Sequence, residues 1–164
     1  MILGVSTLSD GPQTGPRTGP EEAPGSPRVL VVDDTREVRE LLVLNLELEG
    51  FEVRAACDGQ EGVEVALDWH PDVVTLDVVM PRLDGLAALQ ALRADPRTAA
   101  VPVVLVTGRA QAADRAEGEA LGADAYLPKP FEPAELVAVV GSLARTGRRP
   151  GRPGRPGHGG PVGR

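Results

Sequence analysis

Five polar residues stand where apolar runs end. Asp33 and Asp34 close "RVLVV", Asp77 interrupts "VVTLDVVM", Thr107 closes "VPVVLVT" and Lys129 follows "AYLP". A carboxylate inside an apolar run survives only if it is paired, bound to a metal, or set at a strand end where a site opens to water. Carboxylates gathered in one pocket repel and raise each other's pKa unless a cation holds them together. Oxygen-only ligation points to Mg²⁺, an ion that keeps several waters and is usually shared between protein carboxylates and a phosphate. An aspartate beside that ion can act as a nucleophile toward a phosphoryl group, with a lysine neutralising the phosphoryl oxygens and a threonine hydroxyl donating to one of them. Gly108, next to Thr107, leaves room for the group.

For these residues to meet, the chain must place the ends of several strands on one rim. "RVLVV" reads as a strand, and the next segment carries Val38, Leu41, Leu42, Leu46 and Leu48 on one broad helical face, with Thr35 as N-cap and Gly50 as stop. "FEVRAA" reads as a half-exposed strand. "DGQEGVEVALDWH" repeats the helix signal, with Asp58 as cap and Val63, Ala66 and Leu67 inward. Strand "DVVTL", helix "GLAALQALRAD", strand "VPVVLVT", an Ala-rich helix around Gln111 to Leu121, strand "AYLPK" and helix "PAELVAVVGSL" complete the series; the last helix turns Leu136, Val139, Val140 and Leu143 inward. Five apolar strands alternating with amphipathic helices imply an α/β domain, a parallel doubly wound sheet covered on both faces. Ligands bind such sheets at the carboxyl ends of the strands, where Asp33, Asp34, Asp77, Thr107 and Lys129 fall.

The 164 residues leave room for one domain with tails. Residues 1–27 and 145–164 are crowded with Gly and Pro and are expected to be disordered, which leaves Arg28 to Ala144 as the folded unit. That unit holds ten Lys and Arg against twenty-one Asp and Glu, a net charge of −11, which argues against broad nucleic-acid binding by the domain itself. The last twenty residues hold six arginines and no acid. A single cysteine, Cys57, excludes an intramolecular disulfide and fits a reducing, cytoplasmic setting. No basic, apolar leader and no run of membrane-span length is present, so a soluble protein is expected.

"VLVVDD", "DVVMPRLDG", "VLVTG" and "ADAYLPKPF", in that order on successive strands, closely resemble the receiver domain of two-component response regulators, a flavodoxin-like fold. The resemblance implies that Asp77 is the phosphoacceptor and that Asp33 and Asp34 hold Mg²⁺ with it, the backbone carbonyl of Val79 completing the metal site. It further implies that Lys129 contacts the phosphate, that Thr107 and Tyr126 form a switch, and that a cis peptide precedes Pro130. The phosphoryl donor would be a sensor histidine kinase or a phosphotransfer protein. Phosphorylation would reshape the face made by the fourth helix, fifth strand and fifth helix, the fourth helix being weakly packed around Gly118. Dimerisation through that face is left open. Val79 and Arg109, which would flank the approach of a hydrolytic water, imply a slow loss of the phosphoryl group.

Singly, each residue also has a plain structural reading. Asp33 and Asp34 could cap the first helix, and Asp84 and Gly85 read as loop and cap. Trp69, His70 and Cys57 carry no functional signal, helix-end packing being the better reading. An aspartate-nucleophile phosphatase of the haloacid dehalogenase type would need a second acid two residues after the nucleophile, where this chain has Val79. With no folded output domain expected after Leu143, the expected output is contact with a downstream protein target. The alternative is DNA contact by "RRPGRPGRPG", which loosely resembles the core of minor-groove AT-hooks, although Arg152 and Arg155 are spaced differently.

Overall fold

The computed structural model describes residues 25–108 and 112–146. Ten elements follow one another in strict alternation: β1 (Arg28–Val32), α1 (Arg36–Leu48), β2 (Glu52–Ala56), α2 (Gly59–Trp69), β3 (Val73–Asp77), α3 (Gly85–Ala94), β4 (Val103–Thr107), α4 (Ala112–Ala120), β5 (Ala125–Pro128) and α5 (Pro133–Thr146). All strand pairs are parallel, in the order β2-β1-β3-β4-β5. The order reverses at β1 and β3. Connections leaving those two strands diverge to opposite sides and open a crevice at their carboxyl ends. The expected α/β doubly wound, flavodoxin-like sheet is therefore present.

Both faces of the central strands are covered, which is why their sequences are continuously apolar rather than alternating. Leu30, Val32, Val74, Leu76 and Leu105 face α2 and α3, whereas Val29, Val31, Val73, Val104 and Val106 face α1 and α5. At about 25 cal/mol per Å² of apolar surface, each such fully buried Val or Leu contributes roughly 1.5–3 kcal/mol before chain entropy is subtracted. β2, at the sheet edge, is half-exposed as its alternation predicts.

The helices bury narrower stripes than their sequences suggest. In α1, Leu42 and Leu46 are buried and Val38 packs beside them, but Leu41 and Leu48 are 48% and 73% exposed. A helix lying on a sheet covers only one arc of its circumference, and these two leucines fall outside it. In α2, Ala66 is buried while Val63 and Leu67 are half-buried; Gly62 and Trp69 fill the remaining contact. Trp69 lies beneath the guanidinium groups of Arg28 and Arg54, at 5.4 and 4.8 Å from the ring centre, in keeping with helix-end packing. Leu136 and Val140 of α5 are buried, with Val139 and Leu143 packed at their edges.

Gly118 departs from expectation. It is buried, and a Cβ there would lie 2.5 Å from Cδ1 of Leu105, so α4 is seated on β4 through this glycine rather than loosened by it. Among the described residues, no helix is long and apolar enough to cross a membrane.

Candidate functional site

Each carboxylate is delivered to the rim by the strand that precedes it. Asp33 follows β1 directly, its N–H donating to the carbonyl of Ala56 at 3.2 Å, and Asp77 is the last residue of β3. Asp33 and Asp77 are 2% and 6% exposed, while Asp34 faces solvent. One oxygen from each of the three lies within 4.8 Å of the others. Thr35 does stand at the N-cap position of α1, but its side chain makes no capping bond. Its N–H instead donates to Oδ1 of Asp33 at 2.9 Å, so the turn into the helix holds the carboxylate toward the rim.

Lys129 arrives from the far side of the sheet. Its backbone N–H donates to the carbonyl of Thr107, extending the β4–β5 pairing by one step, and the Lys129–Pro130 peptide is cis, as expected. The ammonium donates to Oδ2 of Asp77 at 3.2 Å and to Oδ2 of Asp33 at 3.5 Å. Burial and the neighbouring Asp33 raise the pKa of Asp77 above the ordinary carboxylate value, although Lys129 and the N–H of Val79 oppose the shift. Burial alone would lower the pKa of Lys129, but Asp33 and Asp77 outweigh it and leave the ammonium more firmly protonated.

Three carboxylates and one ammonium leave an excess of two negative charges, part of it desolvated. This donor set suits a hard divalent cation: oxygen ligands, two of them held by fixed strand ends and the third on an exposed, adjustable residue. The peptide after Asp77 folds back over the carboxylate, with the N–H of Val79 donating to Oδ1 at 3.2 Å, and the Val79 side chain is 51% exposed.

Thr107 is fully buried at the end of β4, and a Cβ added at Gly108 would meet nothing within 4 Å, so the rim is open beside it. Tyr126 pairs with Leu105 and is half-buried, three residues before Lys129. The guanidinium of Arg115 in α4 stacks over its ring at 5.6 Å, a contact that sequence reading missed. A second unexpected pair is Arg82 with Asp58, discussed below. Asp84 caps α3 by accepting from the N–H of Ala87, as expected, and Arg109 lies outside the described residues.

The family model described as "Response regulator receiver domain" matches residues 29–141. The chain is 48% identical over 120 residues to the transcriptional regulatory protein PrrA of Mycobacterium tuberculosis, covering 73% of this chain and 51% of PrrA. It is 42% identical over 119 residues to the DNA-binding dual master transcriptional regulator RpaA of Synechocystis sp., covering 73% of this chain and 49% of RpaA. The chain thus spans about half the length of the curated relatives it matches. Among solved structures, the chemotaxis protein CheY4 of Vibrio cholerae superposes with a TM-score of 0.70 at 31% identity, over 73% of this chain and 99% of CheY4.

Proposed function

The chain belongs to the family of response regulator receiver domains, and we propose on that premise that Asp77 is its phosphoacceptor. The observation that carries this reading is the shared lysine: one ammonium bridging two buried carboxylates, with a third alongside, at the crevice between β1 and β3. Asp33, Asp34 and Asp77, with the backbone carbonyl of Val79, would hold Mg²⁺, which when bound supplies neutralising charge for the phosphoryl oxygens.

A carboxylate oxygen of Asp77 attacks phosphorus as the bond from phosphorus to the donor's imidazole nitrogen breaks, and the donor histidine leaves with the electron pair. Lys129 then exchanges its contact with the Asp77 carboxylate for a phosphoryl oxygen. The hydroxyl of Thr107 donates to another, and Tyr126 fills the space that Thr107 vacates. A sensor histidine kinase or phosphotransfer protein in the cytoplasm is the donor on this reading. The domain signals rather than turns over substrate: the relatives are regulators by name, and the position two after Asp77 is Val79 and not an acid.

Incubation with acetyl phosphate and Mg²⁺ should add one phosphoryl group to the parent chain and none to Asp77→Asn, read by intact mass. Equal labelling of that variant would end the assignment.

On output, the relatives' names favour the DNA-contacting alternative over signalling by protein contact alone. Since they match only over the receiver, the feature in this chain that supports DNA contact is its Arg-rich C-terminal segment, of which Arg145 and Thr146 end α5 and residues 147–164 lie outside the described residues.

A further inference from the structure

The loop between β3 and α3 carries Val79, and something must hold it against the strand end. Its middle is fastened to a different element. Nη2 and Nε of Arg82 both donate to Oδ2 of Asp58, at 2.6 and 3.1 Å. Asp58 is buried, and its other oxygen caps α2 by accepting from the N–H of Glu61 at 2.8 Å. Arg82 takes a left-handed backbone conformation, φ +66°, which an L side chain rarely adopts unless its surroundings require it. Beside the pair, α2 packs against the loop backbone itself: a Cβ on Gly59 would overlap the carbonyl of Leu83. Charge, backbone conformation and close packing therefore all act at one point on one loop.

We propose that Arg82 is a positioning residue for the metal and phosphoryl site, acting through Asp58. Asp58 is fixed by its capping bond and by burial, so it gives the guanidinium a rigid anchor. Arg82, with its unusual backbone angle, transmits that anchor to the loop and holds the Val79 peptide over the Asp77 carboxylate. An arginine suits the task because two of its nitrogens reach one carboxylate oxygen and its planar head loses little freedom on pairing. The ion pair is half open to water, with the arginine side chain 65% exposed and the aspartate 6%, so its direct contribution to stability is small. Its effect is geometric, like that of groups that orient metal ligands without touching the metal.

The latch has a role only if Asp77 and its neighbours bind Mg²⁺ as proposed above, and the test separates the two. Calorimetric titration with Mg²⁺ is run on the full chain, on Arg82→Ala, on Arg82→Lys and on Asp58→Asn, the last keeping a capping oxygen while losing the charge. We expect the Mg²⁺ dissociation constant to rise about tenfold in Arg82→Ala and Asp58→Asn, to recover to within about threefold of parent in Arg82→Lys, and Tm to stay nearly unchanged. The amide resonance of Val79 in the metal-free protein should also shift in the first two variants, a change that a merely supportive surface pair would not produce. Parent-like Mg²⁺ affinity in both variants, or lower stability with no change in affinity or in the Val79 amide, would overturn the latch while leaving the site intact. Failure of the parent chain to bind Mg²⁺ would overturn the site and the latch together.

Discussion

At Asp77 the needs of folding oppose those of the phosphoryl chemistry proposed for it. The site gathers like charges in a partly desolvated crevice, and Lys129 only partly offsets them. Because the folded-state pKa of Asp77 lies above the ordinary 3.8, the native state holds a proton that the unfolded chain releases. Stability is therefore lost as pH rises from that value through the folded one, and the deficit is complete only above the folded one. Asp77→Asn should accordingly raise the Tm of the metal-free chain by a few degrees at pH 7, and the difference should close below pH 3.8. Mg²⁺ should reverse the order. At ten times its dissociation constant it stabilises the parent by about 1.4 kcal/mol, and the variant, lacking a ligand, by much less. Thermal melts in chelator and in Mg²⁺ measure both; a parent chain more stable than Asp77→Asn without metal would contradict the electrostatic account.

The elements around the site differ in how firmly they are held. β1, β3 and β4 are buried on both faces, whereas α4 rests on β4 through Gly118 and reaches β5 through Arg115 over Tyr126. The glycine seat and the stacked cation are contacts that a shift of Thr107 and Tyr126 would disturb. Gly118→Ala tests the seat. Alanine gains about 1 kcal/mol of helix propensity over glycine, but its methyl would push on buried Leu105, a cost of about 1–3 kcal/mol. A net loss of about 1 kcal/mol is expected in chemical denaturation, recovered when Leu105→Val makes room. The same substitution should move amide resonances of α4 and β5 in the direction that a phosphoryl mimic on the parent moves them. Changes elsewhere, or none, would count against α4 as the responsive element.

Over the whole molecule, charge is divided. The stretch from Arg28 to Ala144 carries −11, while residues 145–164, the first two of which end α5, add six arginines and no acid. An acidic domain repels a polyanion, so within this chain the proposed DNA contact would fall to the Arg-rich segment and would be strongly electrostatic. Each phosphate neutralised contributes about −0.9 to the slope of log affinity against log salt on duplex DNA. Replacing Arg148, Arg149, Arg152 and Arg155 by serine should therefore flatten the slope by up to about 3.6 and weaken binding across sequences alike. Fluorescence anisotropy on AT-rich and GC-rich duplexes reads this. Absence of salt-sensitive binding by the intact chain would remove the reading of DNA contact by these arginines.

The sequence by itself determined the order of elements and the membership of the rim. In a parallel sheet every strand points the same way, so residues that close successive apolar runs must share one edge, and Asp33, Asp34, Asp77, Thr107 and Lys129 could be named from their places in the chain. Caps were legible for the same local reason: Asp58 and Asp84 bond to N–H groups three residues ahead. What crosses between elements was not. The ammonium of Lys129 meets carboxylates 52 and 96 residues away, and Arg82 meets Asp58 across 24. Leu41 and Leu48 carry the same apolar signal as Leu42 and Leu46 yet face water, and Gly118, which reads as a weak point, is a contact. Period and propensity say that a residue can be buried or paired. Only the packing of distant elements settles which arc of a helix meets the sheet and which charge finds a partner, because those choices depend on neighbours that local sequence does not contain.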